Sequence, residues 1–273
     1  MRPKYSIGAL GPEGSYSEKA ALLWSKGRPE ATLVYFNDFE EVLKAAAAGQ
    51  IEAGIVPVEN SLEGAVTTVM DLLLCLDVVI VGEVNVPIRH CLVGRGEGAV
   101  KVILSHPQAL AQCRQYLREH YPQAEIRTTG STSHAAHLVQ EFPETAAIAG
   151  ADTAEKYGLQ ILAREIQDAS DNVTRFIVAA KKMANATGRD KTSLIIYLDR
   201  DRPGALFSIL EEFAMRSINL TRIESRPSRK GLGDYYFYID LEGHVHDSAV
   251  GEAIAAIKEK AAMVRVLGSY PRA

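Results

Sequence analysis

The densest group of chemically capable side chains is Gln167-Asp168-Ala169-Ser170-Asp171-Asn172-Val173-Thr174-Arg175-Phe176. Arg175 carries a permanent charge on a planar fork that matches a carboxylate. Thr174 beside it supplies a small hydroxyl. The other reading of Arg175 is an ion pair inside the hinge, with Asp168 or Asp171. Four further strings put hydroxyls between a strand and a helix: Gly11-Pro12-Glu13-Gly14-Ser15-Tyr16-Ser17, Pro57-Val58-Glu59-Asn60-Ser61-Leu62-Glu63-Gly64, Ser105-His106-Pro107-Gln108 and Ser131-Thr132-Ser133-His134. The free N–H groups of a helix start attract an anion. An ordinary helix cap uses the same residues. Ser15, Ser61, Ser105 and Ser131 are therefore expected to open helices, and Asn60 adds a side-chain amide to the second string. His106 is either a ligand contact or a local hydrogen-bonding residue. His134 and His137 are three apart with no third metal ligand nearby, which favours surface or core histidines. No nucleophile elbow, Walker loop, dinucleotide fingerprint or metal cluster is present. The chemistry these residues support is cofactor-free binding or conversion of a small anion.

Positioning such strings requires alternating elements. Strand-like runs are predicted at 5–10, 32–36, 53–58, 78–86, 88–93, 102–105, 125–128, 146–149 and 175–179. Helical patterns are predicted at 17–24, 39–48, 67–76, 109–119 and 133–141. Such alternation implies an α/β domain with largely parallel sheets. Two lobes joined near 82–87 and again near 168–175 would leave a cleft between them, a favoured ligand site. The polar stretch Lys181–Asp190 reads as a linker. The domains expected are 1–182, a linker at 183–191, and 192–273. In the last of these, a strand at 193–198, a helix opened by Pro203-Gly204, strands at 219–226 and 234–242, a helix capped by Asp247 or Ser248, and a strand at 263–267 give the order βαββαβ, a ferredoxin-like unit.

Composition narrows the class. The 273 residues are 47% hydrophobic and 23% charged, ordinary for a folded soluble protein. Lys and Arg number 30 against 34 Asp and Glu, a net charge of −4 without a long basic run, which argues against a nucleic-acid partner. No apolar run reaches the roughly 18 residues of a membrane span, and Met1-Arg2-Pro3-Lys4-Tyr5-Ser6 leads into no apolar signal core. Cys75, Cys91 and Cys113 are odd in number and widely spaced, unlike a disulfide framework. A cytoplasmic location is expected, with no membrane partner.

In their order, Gly11–Ser17, Pro57–Gly64, Ser105–Gln108, Ser131-Thr132 and Thr174-Arg175-Phe176 resemble the prephenate dehydratase family. The tail resembles an ACT regulatory domain through Arg202-Pro203-Gly204-Ala205-Leu206-Phe207 and Glu224-Ser225-Arg226-Pro227. The resemblance covers nearly the whole chain. It implies two α/β lobes like those of a type II periplasmic binding protein, and conversion of prephenate to phenylpyruvate, water and carbon dioxide in phenylalanine synthesis, without a cofactor or metal. It further implies Thr174 as catalytic, Arg175 as substrate-binding, and Asn60 and Ser61 as cleft residues; Glu59 is the other candidate acid if burial raises its pKa, and Ser15, Ser131, Thr132 and Phe176 are expected to join the substrate-binding set. Phenylalanine is the implied effector, held by Gly204, Ala205, Leu206, Glu224, Ser225, Arg226 and Pro227 in a homodimer or homotetramer joined through the ACT domain. The first strand begins near Tyr5, which leaves no room for the chorismate mutase domain some members carry. Ser133-His134 departs from the small or acidic pair more usual there. The competing readings are an arogenate-preferring dehydratase and a non-catalytic cytoplasmic amino-acid sensor.

Overall fold

A computed structural model describes residues 5–28, 30–96, 98–198, 203–229, 231 and 233–273. Lobe 1 contains β1 (Tyr5–Leu10), α1 (Tyr16–Ser25), β2 (Ala31–Phe36), α2 (Phe39–Ala48), β3 (Ala53–Asn60), the short β4 (Gly64–Ala65), α3 (Thr67–Cys75) and β5 (Val79–Pro87). The chain then enters lobe 2: β6 (Cys91–Gly94), β7 (Val102–Ser105), α4 (Pro107–Gln112), α5 (Arg114–His120), β8 (Glu125–Thr128), α6 (Thr132–Glu141), β9 (Thr145–Ala149), α7 (Ala151–Lys156) and β10 (Gln160–Ala163). It returns to lobe 1 as β11 (Val173–Ala180). The C-terminal domain follows as β12 (Asp190–Tyr197), α8 (Ala205–Ala214), β13 (Leu220–Pro227), β14 (Tyr235–Glu242), α9 (Ser248–Lys258) and β15 (Met263–Pro271).

Local chemistry explains the helix starts. Asp38 caps α2 by accepting from Glu41 N, with Glu40 and Glu41 in the first turn where the dipole favours them. Ser15 and Ser131 cap α1 and α6 in the same way. The expected helix at 109–119 is two short helices. Cys113 leaves helical geometry at φ −116°, ψ 18° and buries its thiol completely. The short α7 and β10 carry too little periodicity to be read from sequence.

Each lobe is parallel only in part. In lobe 1 the order is β2-β1-β3-β11-β5, with β4 on β3. The returning β11 slots between β3 and β5, antiparallel to both. In lobe 2 the order is β10-β6-β9-β7-β8, and the entering β6 is antiparallel to both neighbours. The expectation of largely parallel sheets thus fails at the crossover strands, which enter or leave a lobe without a helix to reverse them.

The C-terminal sheet runs β13-β14-β12-β15, with α8 and α9 packed on one face through Ile209, Phe213, Val250 and Ile254. The opposite face joins lobe 1. Ile195, Tyr238, Leu267 and Tyr270 share one core with Val56, Val58, Met70, Leu73 and Ile80. Gly268 makes this approach possible, since a Cβ there would stand 2.1 Å from the Ile80 carbonyl oxygen. No helix among the described residues is long and apolar enough to cross a membrane.

Candidate active site

The cleft between the lobes encloses a cavity of about 420 Å³. Lobe 1 lines it with Ser15 and Tyr16 at the start of α1, Pro57 and Asn60 of β3, and Thr174 and Phe176 of β11. Lobe 2 contributes His106 and Gln108 at the start of α4, Gln112 at its end, and Gly130, Ser131 and Thr132 at the start of α6. His90 and Asn172 come from the two crossovers. Three helix N-termini therefore open on one space, and the described residues lining it include no lysine or arginine. What it offers an anion is peptide N–H groups and helix dipoles, joined by hydroxyls, amides and two histidines.

A bulge sets the arrangement on β3. Across β11, Thr174 faces Asn60, Arg175 faces Glu59, and Phe176 faces Pro57. Val58 is the extra residue, so Pro57 and Asn60 reach the same side although three positions apart. Bulges beside functional sites re-aim side chains in this way.

Asn60 is buried and fixed in one orientation. Its Oδ1 accepts from Leu62 N at 3.0 Å and Glu63 N at 3.1 Å. Its Nδ2 consequently points the other way, donating to Thr174 Oγ1 at 2.8 Å and Asn172 Oδ1 at 2.7 Å. Thr174 therefore receives a hydrogen bond on its oxygen and keeps its own proton for the cavity. Asn172 Nδ2 donates to Gln112 Oε1 at 2.9 Å, and Gln112 Nε2 donates to Glu63 Oε1 at 3.2 Å, tying the lobes across the cleft. His90 Nε2 lies 2.9 Å from Gln112 Oε1, which is an acceptor, so Nε2 carries the proton. His90 Nδ1 is left as a buried lone pair with no partner among the described residues. Burial lowers the pKa of this imidazole, against an upward pull from Gln112, and keeps it neutral at pH 7.

Several expected site residues lie elsewhere. Arg175 is absent from the cavity wall because neighbours on a strand face opposite ways. Its guanidinium meets Asp240 Oδ2 at 2.6 Å, Glu83 Oε2 at 2.7 Å, the Tyr270 hydroxyl at 2.9 Å and Glu59 Oε2 at 3.5 Å. Burial works to discharge it, but Asp240, Tyr270 and Glu83 outweigh that and raise its pKa. The ion pair with Asp168 or Asp171 is likewise replaced, and Asp168 instead accepts from Gln115 N. Glu59 also faces away from the cleft and pairs with Arg222 at 2.8 Å. Ser61 opens no helix; its hydroxyl donates to Asp171 O and accepts from Val173 N, pinning the returning crossover. Ser105 ends β7, buried against Ile148 O, and His106 caps α4 through Nδ1 instead. His106, His90, Gln108, Gln112 and Asn172 complete the wall. Of these, His106, Gln108 and Asn172 had a sequence signal as site residues, each lying in one of the strings singled out above, whereas His90 and Gln112 had none.

In the C-terminal domain, Gly204 has φ +81°, a left-handed backbone that suits glycine, and α8 follows with Ala205 and Leu206. Arg202 lies outside the described residues. Strand β13 is one edge of its sheet, with β15 at the other, against lobe 1. Ser225 and Pro227 are exposed, whereas Glu224 and Arg226 alternate onto the face towards lobe 1. Arg226 forms two bonds of 2.8 Å with Asp71 of α3, so its charge is already matched there rather than free for an amino-acid ligand.

Known proteins resemble this chain in sequence and fold. A family model described as prephenate dehydratase matches residues 7–184, and one described as ACT domain matches 192–259. A prephenate dehydratase of Methanocaldococcus jannaschii is 40% identical over 268 residues, covering 95% of this chain and 96% of that protein. An arogenate dehydratase/prephenate dehydratase of Arabidopsis thaliana is 40% identical over 277 residues, covering 96% of this chain and 71% of that protein. The crystal structure of prephenate dehydratase from Arthrobacter aurescens in complex with L-Phe superposes with a TM-score of 0.89 at 39% identity, covering 98% of this chain and 90% of that one.

Proposed function

This chain belongs to the prephenate dehydratase family and carries a C-terminal ACT domain, and from that premise we propose how its own residues perform the reaction. Prephenate loses a ring carboxylate as carbon dioxide and a ring hydroxyl as water. The electron pair of the breaking carbon–carboxylate bond enters the ring, the carbon–oxygen bond opposite breaks, and one proton must reach the departing oxygen. Aromatisation supplies the driving force. The site has to hold a dianion, exclude water and deliver that proton.

The observation that carries this reading is the Asn60–Thr174 contact inside a cavity ringed by helix starts. Asn60 occupies the Thr174 oxygen as a donor and directs the hydroxyl proton into the cavity. Thr174 is a weak acid, so it serves as a positioned donor to the leaving hydroxyl and is reprotonated from solvent. The N-termini of α1 and α6, with Ser15, Ser131 and Thr132, suit the two carboxylates. Phe176 provides apolar wall. The test is direct: purified protein mixed with prephenate forms phenylpyruvate, read by its absorbance in alkali, and a protein giving none refutes the reading.

Phenylalanine acts through the ACT domain as effector, and the edge strand β13 supports pairing of two such domains side by side. Ile223 is exposed on that edge strand, and Phe207 of α8 is exposed as well, apolar surface suited to a second copy. The charges of Glu224 and Arg226 face lobe 1, which leaves Ser225 and the Gly204–Leu206 helix start for the ligand. One observation bears on arogenate, whose ammonium replaces the keto group of prephenate. The His90 Nδ1 has no partner among the described residues but is closed off from the cavity, so it gives a bound ammonium no acceptor. Comparing both substrates in one assay decides the preference.

A further inference from the structure

Thr174 and Asn60 face the cleft, while their chain neighbours Arg175 and Glu59 pass through the sheet to the C-terminal domain. There Asp240 takes Arg175 at 2.6 Å, and Arg222 takes Glu59 at 2.8 Å. Arg222 and Asp240 are themselves register partners on β13 and β14. Ser193 donates to Asp240 at 2.5 Å and lies 2.6 Å from the Tyr270 hydroxyl, which also meets Arg175. On the lobe 1 side, Glu83 binds both Arg175 and Lys191. The charges balance: Arg175, Lys191 and Arg222 against Glu59, Glu83 and Asp240. The side chains of Arg175, Glu83 and Asp240 are 11%, 3% and 5% exposed. Buried charges of this kind tolerate only well-matched geometry, because a displaced partner leaves an uncompensated charge.

We propose that Arg175 and Glu59 are positioning residues, a pair of grips by which Asp240 and Arg222 of the ACT sheet set the placement of Thr174 and Asn60. A shift of β13 on effector binding then reaches the proton donor and its orienting amide through one residue on each strand, without a path around the lobes. The proposal rests on the reading of this cleft as a phenylalanine-regulated dehydratase site. It departs from the expectation that Arg175 holds a substrate carboxylate, and the two differ in what they do to KM and kcat.

The experiment compares full-length wild type, Asp240→Asn and Arg222→Gln. Asp240→Asn preserves shape, and Arg222→Gln leaves Glu59, 37% exposed, with Arg175 still 3.5 Å away, so its folding cost is the smaller. Each is assayed for turnover of prephenate, inhibition by phenylalanine, binding of phenylalanine by calorimetry, and amide hydrogen exchange in peptides spanning 57–62 and 172–176. The expected result is a kcat lowered by roughly two- to thirtyfold with KM nearly unchanged. Bound phenylalanine should inhibit less, and exchange should be faster in both peptides. Arg175→Lys should keep KM and lower kcat. Wild-type kcat, inhibition and exchange in both ACT variants would overturn the proposal, as would a large rise in KM with intact kcat in Arg175→Lys. A wild type that turns over no prephenate refutes the functional reading instead, and the exchange data then judge the grips by themselves.

Discussion

The Thr174 hydroxyl and the Arg175 guanidinium leave adjacent positions of β11 on opposite faces of one sheet, the first into the cleft and the second onto Asp240 of the C-terminal domain. A three-residue signature is thus divided between two jobs. Thr174 and Phe176 serve the cavity, and the residue between them serves the interface.

Loss of the Thr174 hydroxyl is expected to cost roughly 10²–10⁴-fold in kcat, the range for a positioned proton donor. Thr174→Ser should recover most of that loss, and Thr174→Val should not. Asn60→Ala should also lower kcat, since it frees the Thr174 hydroxyl to turn. Steady-state kinetics on the three Thr174 variants decide the point, and equal rates for Thr174→Ala and wild type would remove the residue from the mechanism.

His90 predicts a pH dependence of stability. Its folded pKa lies below the ordinary 6.5, so the unfolded chain binds the proton more readily. The contribution of neutral His90 is complete above about pH 6.5 and is lost as pH falls below it, with a slope of at most about 1.4 kcal/mol per pH unit. Urea melts between pH 7 and 5 should show a shallower decline for His90→Gln than for wild type. Parallel declines would place the acid sensitivity elsewhere.

At Gly268, substitution by alanine forces a Cβ onto the Ile80 backbone, where no side chain can move aside. Overpacking of this kind costs about 1–3 kcal/mol. A lower Tm for Gly268→Ala, with β15 pushed from β5, is the expected readout. An unchanged Tm would mean that the two domains are not held at this spacing.

Removing the C-terminal domain should do more than remove regulation. A fragment 1–185 exposes Val56, Val58, Met70 and Ile80 and strips Arg175 of Asp240 and Tyr270. Unpairing a buried charge costs several kcal/mol. The fragment is expected to aggregate or to melt well below the full chain. If it stays soluble with full turnover, the shared core is dispensable.

Much of this fold was legible because its signals are local. Hydroxyl caps at Ser15 and Ser131, the 3.6-residue pattern of α2 and the alternation of Tyr235–Glu242 all concern residues a few positions apart. Thr174 was legible as well, within a recognisable string. Arg175 was misplaced although period-2 alternation already set it opposite Thr174 and Phe176; the usual affinity of arginine for carboxylates outweighed the pattern. Glu59 was misplaced for another reason. Only pairing with β11 reveals the extra residue at Val58, and a bulge has no periodic signature. Gln112 and His90 reach the cavity through tertiary placement alone, and nothing near them in the chain marks them.

A wall that meets an anion with peptide groups holds no lysine or arginine among its described residues. Alkaline conditions cannot neutralise it, and amine-directed acylating reagents find no lysine in it to modify. Its strength changes when a helix turn unwinds or a lobe rotates, so affinity for an anion becomes a readout of conformation. The same wall discriminates by charge number: a guest that enters with two negative charges and remains with one is held less firmly, which favours its departure.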